Sequence, residues 1–345
     1  MSNPTHSLKP FNTLGLDIHA DEIIRAKSAA DLRKAWDTSR SADKPFLLLG
    51  GGSNVLFLRD FRGIVAINEI KGISLSEDDE SYFLHVGAGE NWHQLVKWCL
   101  QHNIAGTENL ALIPGVAGSA PIQNIGAYGV EFKDICDYVD VTELATGREF
   151  RLEKTQCRFG YRDSIFKHEF CQGYAVTAIG LRLSKQWKPV LTYGELTRMD
   201  TATVTPKQVF DAVCDMRKSK LPDPDIQGNV GSFFKNPLIT GKLCEQLLAT
   251  YPGLPQYPQA DGTVKVAAGW LIDQCRLKGY KLGGAAVHSL QARVKINDNQ
   301  ATAQEINGQE KTGRKRVGEK CNNGPGAEDE MKEATGECEG AGGTT

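Results

Sequence analysis

The chain reads as an α+β protein on three observations. Strand-like apolar runs crowd residues 138–185 with no long helical pattern between them. Stripes with helical period stand apart from those runs, at 91–102 and 205–216. A short apolar strand at 46–49 runs into Gly50-Gly51-Gly52, yet Val55 stands where the third glycine of a GxGxxG dinucleotide fingerprint would fall. Strict βαβ alternation is therefore not expected.

In chain order, Ser28 with Asp31 resembles a capping box, and Leu32, Ala35 and Trp36 keep helical spacing behind it. The strand at 46–49 is followed by a second at 64–67. Trp92, Leu95, Val96, Cys99 and Leu100 recur with helical period, so 91–102 predicts a helix with one buried face. Residues 138–143 and 174–183 read as strands. Thr205-Pro206 reads as an N-cap followed by proline at the first helical position, with Val209, Ala212, Val213 and Met216 as the buried stripe. Leu221-Pro222-Asp223-Pro224 ends that element, and a domain boundary is expected near it. Beyond it come a helix around 267–275 and a Gly283-Gly284 turn leading to a strand through Val294 and Ile296. From residue 301 the chain has no Leu, Phe, Tyr or Trp and is rich in Gly, Glu and Lys. On composition that stretch predicts a solvated or disordered tail.

A length of 345 residues is enough for two or three domains. With 40% hydrophobic and 24% charged residues, a soluble globular protein is expected. A net charge of -2 supplies no cationic surface for nucleic acid. The nine cysteines are odd in number and none form CxxC, which argues against a disulfide framework or structural zinc. The seven histidines show no metal spacing, so no metal is expected. No apolar run approaches the ~20 residues that span a bilayer, and no apolar leader opens the chain. Neither export nor membrane insertion is expected, and the chain is read as cytoplasmic and monomeric.

Four motifs carry chemistry. Gly50, Gly51 and Gly52 with Ser53 and Asn54 follow a strand, and such a loop suits a pyrophosphate, although an ordinary glycine turn has the same wording. Residues 113–129 are dominated by small residues, including Ile113, Pro114, Gly115, Gly118, Ser119, Gln123, Asn124, Gly126, Ala127 and Tyr128. Backbone of this kind can lie against a large planar or phosphorylated ligand, or serve as a tight packing crossover. Residues 158–164 place Arg158, Tyr161 and Arg162 together, which suits a carboxylate or a surface salt bridge. Ser232 sits between glycine and aromatics in residues 228–237, without the GxSxG elbow of acyl-transfer hydrolases. It reads as a fixed hydroxyl or a structural turn serine. The basic run at 311–316 reads as a solvated patch.

Together, in order and wording, these motifs resemble the UDP-N-acetylenolpyruvoylglucosamine reductases (MurB) of bacterial peptidoglycan synthesis. The resemblance runs from Leu8 to about Asn297. It includes Gly-Ser-Asn-Val-Leu at 52–56, Gly-Ala-Gly-Glu-Asn-Trp at 87–92 and Asn-Leu-Ala-Leu-Ile-Pro-Gly at 109–115. It continues with Tyr-Arg-Asp-Ser-Ile-Phe-Lys at 161–167, Gly-Ser-Phe-Phe-Lys-Asn-Pro at 231–237 and Ala-Ala-Gly-Trp-Leu-Ile-Asp at 267–273. Leu191-Thr192-Tyr193-Gly194 looks like the tyrosine loop of the family's first subtype.

The resemblance implies an α+β, FAD-binding fold of the vanillyl-alcohol-oxidase type. Two subdomains, 1–70 and 71–204, would hold FAD through the two glycine-rich motifs. A third domain, 205–320, would bind substrate, with 321–345 as a polar tail. It implies that NADPH gives hydride to FAD and that the reduced flavin reduces the enolpyruvyl ether of a UDP-sugar to the lactyl ether. Arg162 then matches the family's catalytic arginine and Ser232 its proton donor. Tyr161, Tyr193, Lys220, Asn236 and Gln291 match substrate-binding positions. The family ends on an apolar helix and a strand carrying a catalytic glutamate. Counting without a gap from residues 317–320 puts Glu328 at that glutamate, but Gly324, Asp329 and Lys332 replace its apolar neighbours. A catalytically impaired protein that still binds FAD and sugar nucleotide is therefore a second reading. A flavin oxidase on the same fold is a third, against which no His or Cys stands in a pattern for tethering flavin.

Overall fold

The computed structural model describes residues 6–232, 236–298 and 300–321. The chain forms two compact units. The first takes residues 20–52 and 62–219, the second residues 7–19, 53–61 and 220 onward.

The first unit opens with β1 (Ala20–Ala26), α1 (Ala29–Ser41), β2 (Phe46–Leu49) and β3 (Phe61–Asn68). Ser28 Oγ accepts the Asp31 N–H, and Asp31 Oδ2 accepts the Lys27 N–H, so the expected cap of α1 forms. Leu32 and Ala35 face inward, and Trp36 meets Phe46 edge-on at 5.3 Å. β2 pairs parallel with β3, Phe46 opposite Ile64 and Leu49 opposite Ile67, in a sheet of order β1-β3-β2. Ile64, Val65, Ala66 and Ile67 are all buried, which explains their unbroken apolar run.

Next come β4 (Ile73–Glu77), β5 (Ser81–Gly87), α2 (Trp92–Gln101), β6 (Gly126–Ala127), β7 (Val130–Glu131), α3 (Phe132–Ile135), β8 (Cys136–Glu143), β9 (Glu149–Glu153), β10 (Tyr174–Ser184) and α4 (Pro206–Lys220). β4-β5-β10-β8-β9 form an antiparallel five-stranded sheet. α2 starts at an Asn91 cap that accepts the Gln94 N–H, and buries Trp92, Leu95, Val96 and Cys99. Thr205 and Gln208 cap α4 reciprocally: Oγ1 accepts the Gln208 N–H and Oε1 accepts the Thr205 N–H. The α4 stripe of Val209, Val213 and Met216 shares one core with α2 and with Val139, Ile179 and Leu181 of the sheet.

The second unit contains β11 (Asn229–Ser232), β12 (Leu238–Thr240), α5 (Gly241–Thr250), β13 (Gln256–Pro258), β14 (Thr263–Val266), α6 (Ala268–Gln274), β15 (Lys281–Leu282), β16 (Ala285–Val287), β17 (Val294–Asn297) and α7 (Ala303–Cys321). Its sheets run β11-β17-β16-β15 and β12-β14-β13. The segment at 7–19 is stitched to the first of them. The Asn229 N–H donates to Thr13 O at 2.8 Å and Asn297 Nδ2 to Leu14 O at 2.9 Å, while Gly228 lies so close that a Cβ would stand 2.3 Å from Leu14 O.

α7 corrects, over Ala303–Cys321, the reading of that stretch as a tail. Ala303, Ile306 and Val317 are buried, and Gly308 is packed so that a Cβ would meet Leu282 Cδ2 at 2.9 Å. Thr302 Oγ1 accepts the Glu305 N–H and Glu305 Oε2 accepts the Thr302 N–H, a complete capping box. Small residues allow close packing, so a few aliphatics suffice where composition alone counts too little apolar surface.

Candidate active site

β2 ends at Leu49, and the three glycines turn away with Gly52 in left-handed backbone at φ +59°. This turn lies against residues 115–119. A Cβ on Gly50 would stand 2.5 Å from Val116 Cγ2, and one on Gly51 3.0 Å from Gly115 Cα. The second loop is held by residues 88–93. The Gly118 N–H donates to Ala88 O at 2.8 Å, the Ala117 N–H to Glu90 O at 2.7 Å, and the Trp92 N–H to Gly115 O at 3.1 Å. A Cβ on Gly118 would stand 2.5 Å from the Ala88 Cβ. Ser119 turns its hydroxyl onto Val116 O at 2.7 Å, stiffening the loop from within. The N–H groups of Ala117, Gly118, Ser119 and Ala120 are spent on holding the second loop, while the glycine turn meets it backbone to backbone without side-chain bulk, a surface that a diphosphate could approach closely.

Asn124 knots the far end of this loop. It is fully buried and left-handed at φ +44°, a conformation asparagine tolerates better than most residues. Its Nδ2 donates to Gly160 O at 2.9 Å and Glu131 Oε2 at 3.1 Å, and its Oδ1 accepts the Lys133 N–H at 2.9 Å. Gly160 belongs to the turn that carries Arg162, closed by the Gly160 N–H donating to Asp163 O. Ser164 Oγ donates to Ile122 O at 2.6 Å and ties the same two segments again. Arg162, left-handed at φ +54°, reaches back so that Nη2 donates to Gly126 O at 2.8 Å and Nη1 to Asn124 O at 3.4 Å. A Cβ on Gly126 would stand 3.1 Å from Nη1. Tyr161 lies beside the guanidinium, its ring centroid 5.6 Å from Cζ.

Asn109 Nδ2 donates to both Tyr128 O and Val190 O at 2.9 Å, which joins the end of the glycine-rich segment to the one bearing Tyr193. The exposed Tyr193 ring meets Tyr128 edge-on at 5.6 Å. Arg217 of α4 lies near Tyr128. Its Nε is buried with no hydrogen-bond partner among the described residues, and burial lowers its pKa. The first unit thus gathers Gly50, Gly51, Gly52, Ile113, Pro114, Gly115, Gly118, Ser119, Gln123, Asn124, Gly126, Ala127, Tyr161, Arg162 and Tyr193.

Ser53, Asn54, Lys220, Ser232, Asn236 and Gln291 belong to the second unit. There Ser232 closes β11 opposite Val294 of β17, and Gln291 lies in the turn three residues before Val294. Asn236 Oδ1 accepts the Ala268 N–H at 3.1 Å and so caps α6. Glu328 lies outside the described residues.

Over 317 residues the chain is 58% identical to the UDP-N-acetylenolpyruvoylglucosamine reductase of Escherichia coli (strain K12), covering 92% of this chain and 93% of that protein. The chain belongs to the UDP-N-acetylenolpyruvoylglucosamine reductase family. The Salmonella typhi reductase is likewise 58% identical over 318 residues, with the same coverage of each chain. The model of the reductase family's C-terminal domain matches residues 223–324, and that of the FAD binding domain matches residues 20–153. The crystal structure of the Thermus caldophilus reductase shares the fold, with a TM-score of 0.62 at 24% identity, over 90% of this chain and 93% of that one. The fold class expected from the sequence is thereby borne out. Both glycine-rich loops lie in the span matched to the FAD binding domain, and a side chain at Gly50, Gly51 or Gly118 would crowd the segment it faces.

Three residues packed around these loops escaped the sequence reading. Asn109 is hidden because its partners lie 19 and 81 residues away. Arg217 follows the apolar stripe of α4 as one more surface cation. His93 stands beside the buried Trp92, and its bond to the Leu112 N–H has no sequence signature.

Proposed function

We propose that the chain reduces the enolpyruvyl ether of UDP-N-acetylglucosamine to UDP-N-acetylmuramate, using FAD and NADPH, in the cytoplasm and as a monomer. FAD, when bound, takes an electron pair from NADPH and delivers it with a hydrogen to the methylene carbon of the substrate. Residues 1–70 and 71–204 are assigned to the cofactor and 205–320 to the substrate, although α4 packs within the first compact unit and residues 7–19 and 53–61 fall in the second. Gly50, Gly51, Gly52, Ser53, Asn54 and the loop from Ile113 to Ala127 hold FAD. Tyr161, Tyr193, Lys220, Asn236 and Gln291 hold the UDP-sugar.

The observation that carries this reading is the seat of Arg162 on the glycine-rich loop. Addition at the methylene carbon leaves negative charge on the carbon that bears the carboxylate. A guanidinium gripping that carboxylate stabilises the charge as it develops. Arginine has five N–H donors, and the bonds to Asn124 O and Gly126 O use two of them, so the side chain is both anchored and available. Ser232 gives its hydroxyl proton to the charged carbon. A hydroxyl is a weak acid, so it must stand close and donate late. Glu328 serves as the third catalytic group.

Steady-state assay of the purified chain tests the proposal. NADPH consumption should depend on the enolpyruvyl ether, and mass spectrometry should find UDP-N-acetylmuramate. A yellow protein that consumes NADPH only with dioxygen, and leaves the ether untouched, overturns it.

A further inference from the structure

We infer that His93 is a positioning residue for FAD: its Nδ1 holds the Leu112 N–H and so sets the entry of the loop proposed to receive the cofactor. The inference rests on that FAD reading.

His93 is the second residue of α2, and its half-buried ring stacks flat on Phe210 of α4, with centroids 5.7 Å apart and planes 3° apart. Nδ1 accepts the Leu112 N–H at 3.0 Å. An acceptor nitrogen carries no proton, so the bond selects the tautomer protonated at Nε2. Leu112 has φ +55°, a conformation leucine rarely adopts without an outside restraint. It leads directly into Ile113-Pro114-Gly115. On one side of it Trp92 Nε1 donates to Leu110 O at 3.0 Å, and on the other the Trp92 N–H donates to Gly115 O. His93 supplies the clip at the strained residue between those two.

Lys97 of α2 and Lys218 and Arg217 of α4 are cations near enough to act on the ring. Burial first, then these cations, push its pKa from the ordinary 6.5 down to about 4, so Nδ1 stays an acceptor through neutral pH. A protonated ring would turn a donor toward the Leu112 N–H.

Packing on Phe210 and acceptance at Nδ1 are separable by substitution. His93→Phe keeps a flat ring on Phe210 and removes the acceptor. His93→Asn gives up the stack and keeps an acceptor close to the Nδ1 position. The readout is the rate at which FAD leaves the full-length holoprotein on dilution, followed by the rise in free-flavin fluorescence. Loss of one neutral hydrogen bond predicts release about tenfold faster in His93→Phe, with His93→Asn within about threefold of the parent. Equal release from His93→Phe and the parent, or greater damage in His93→Asn, overturns the inference. Should His93→Phe not fold, imidazole ¹⁵N shifts of the parent protein decide: an Nδ1-protonated tautomer overturns the inference. A parent protein that carries no flavin overturns the FAD reading itself, a result distinct from either.

Discussion

Asn124→Ala is the substitution whose cost the structure specifies most fully. It removes the acceptor for the Lys133 N–H and the donor to Gly160 O, both at 2.9 Å, from a fully buried side chain set between half-buried partners. Each buried group left without a partner costs about 1–3 kcal/mol. The bond to half-buried Glu131 is replaced by water at little cost. Alanine at φ +44° adds about 1 kcal/mol, for the same steric reason that disfavours left-handed helices. The total is about 3–7 kcal/mol, large for a single residue. With a urea slope of about 3 kcal/mol/M, the unfolding midpoint should fall by about 1–2 M at unchanged slope. Asn124→Gly relieves the backbone cost alone and should recover about 1 kcal/mol of the loss. A midpoint shift below about 0.3 M for Asn124→Ala would refute the reasoning, since the knot would then contribute nothing measurable.

Arg162→Lys keeps the charge but loses the planar fork, and kcat/KM for the enolpyruvyl ether should fall about 10²–10³-fold while flavin content stays constant. Ser232→Ala should leave flavin reduction by NADPH intact and slow reoxidation by substrate about 10²–10⁴-fold in stopped flow; equal damage to both half-reactions would contradict its role. Gly118→Val would drive side-chain atoms into Ala88, whose Cβ is only 2.5 Å from the position of an added Cβ, and the protein should be purified with little or no bound flavin. The Glu305 carboxyl is held below its ordinary 4.5 by N–H bonds from Thr302 and Gly284. The stability it adds is complete above that ordinary value and is lost as pH falls through the lower folded value. Unfolding midpoints measured down the acid limb should therefore fall less steeply in Glu305→Gln than in the parent.

Where structure depends on near neighbours, the chain could be read directly. Ser28 and Asp31 cap α1, Thr205 and Pro206 start α4, and the period through Trp92 and Cys99 predicts α2 nearly residue for residue. The two glycine-rich motifs were also visible, because close approach of backbones requires glycine. What brings them together was not. The Asn124 bond to Gly160, and the stitching of Thr13 and Leu14 to β11 and β17, join residues far apart in sequence, and no local pattern encodes them. β12, β13 and β14 are three or four residues long, too short for a periodic signal. α7 was misread for a different reason. Its apolar content is low, but Thr302 and Glu305 spell the capping box that starts it, and weighing that pair against composition would have found the helix.

FAD on this chain is proposed to pass electrons from NADPH to the enolpyruvyl ether. The most direct measurement is the flavin absorbance of the purified protein under anaerobic conditions, first with NADPH and then with the ether. The expected result is a yellow protein that bleaches with NADPH and regains its full colour when the ether is added. A reduced flavin that stays bleached in the presence of the ether, and recovers only when air is admitted, would contradict it.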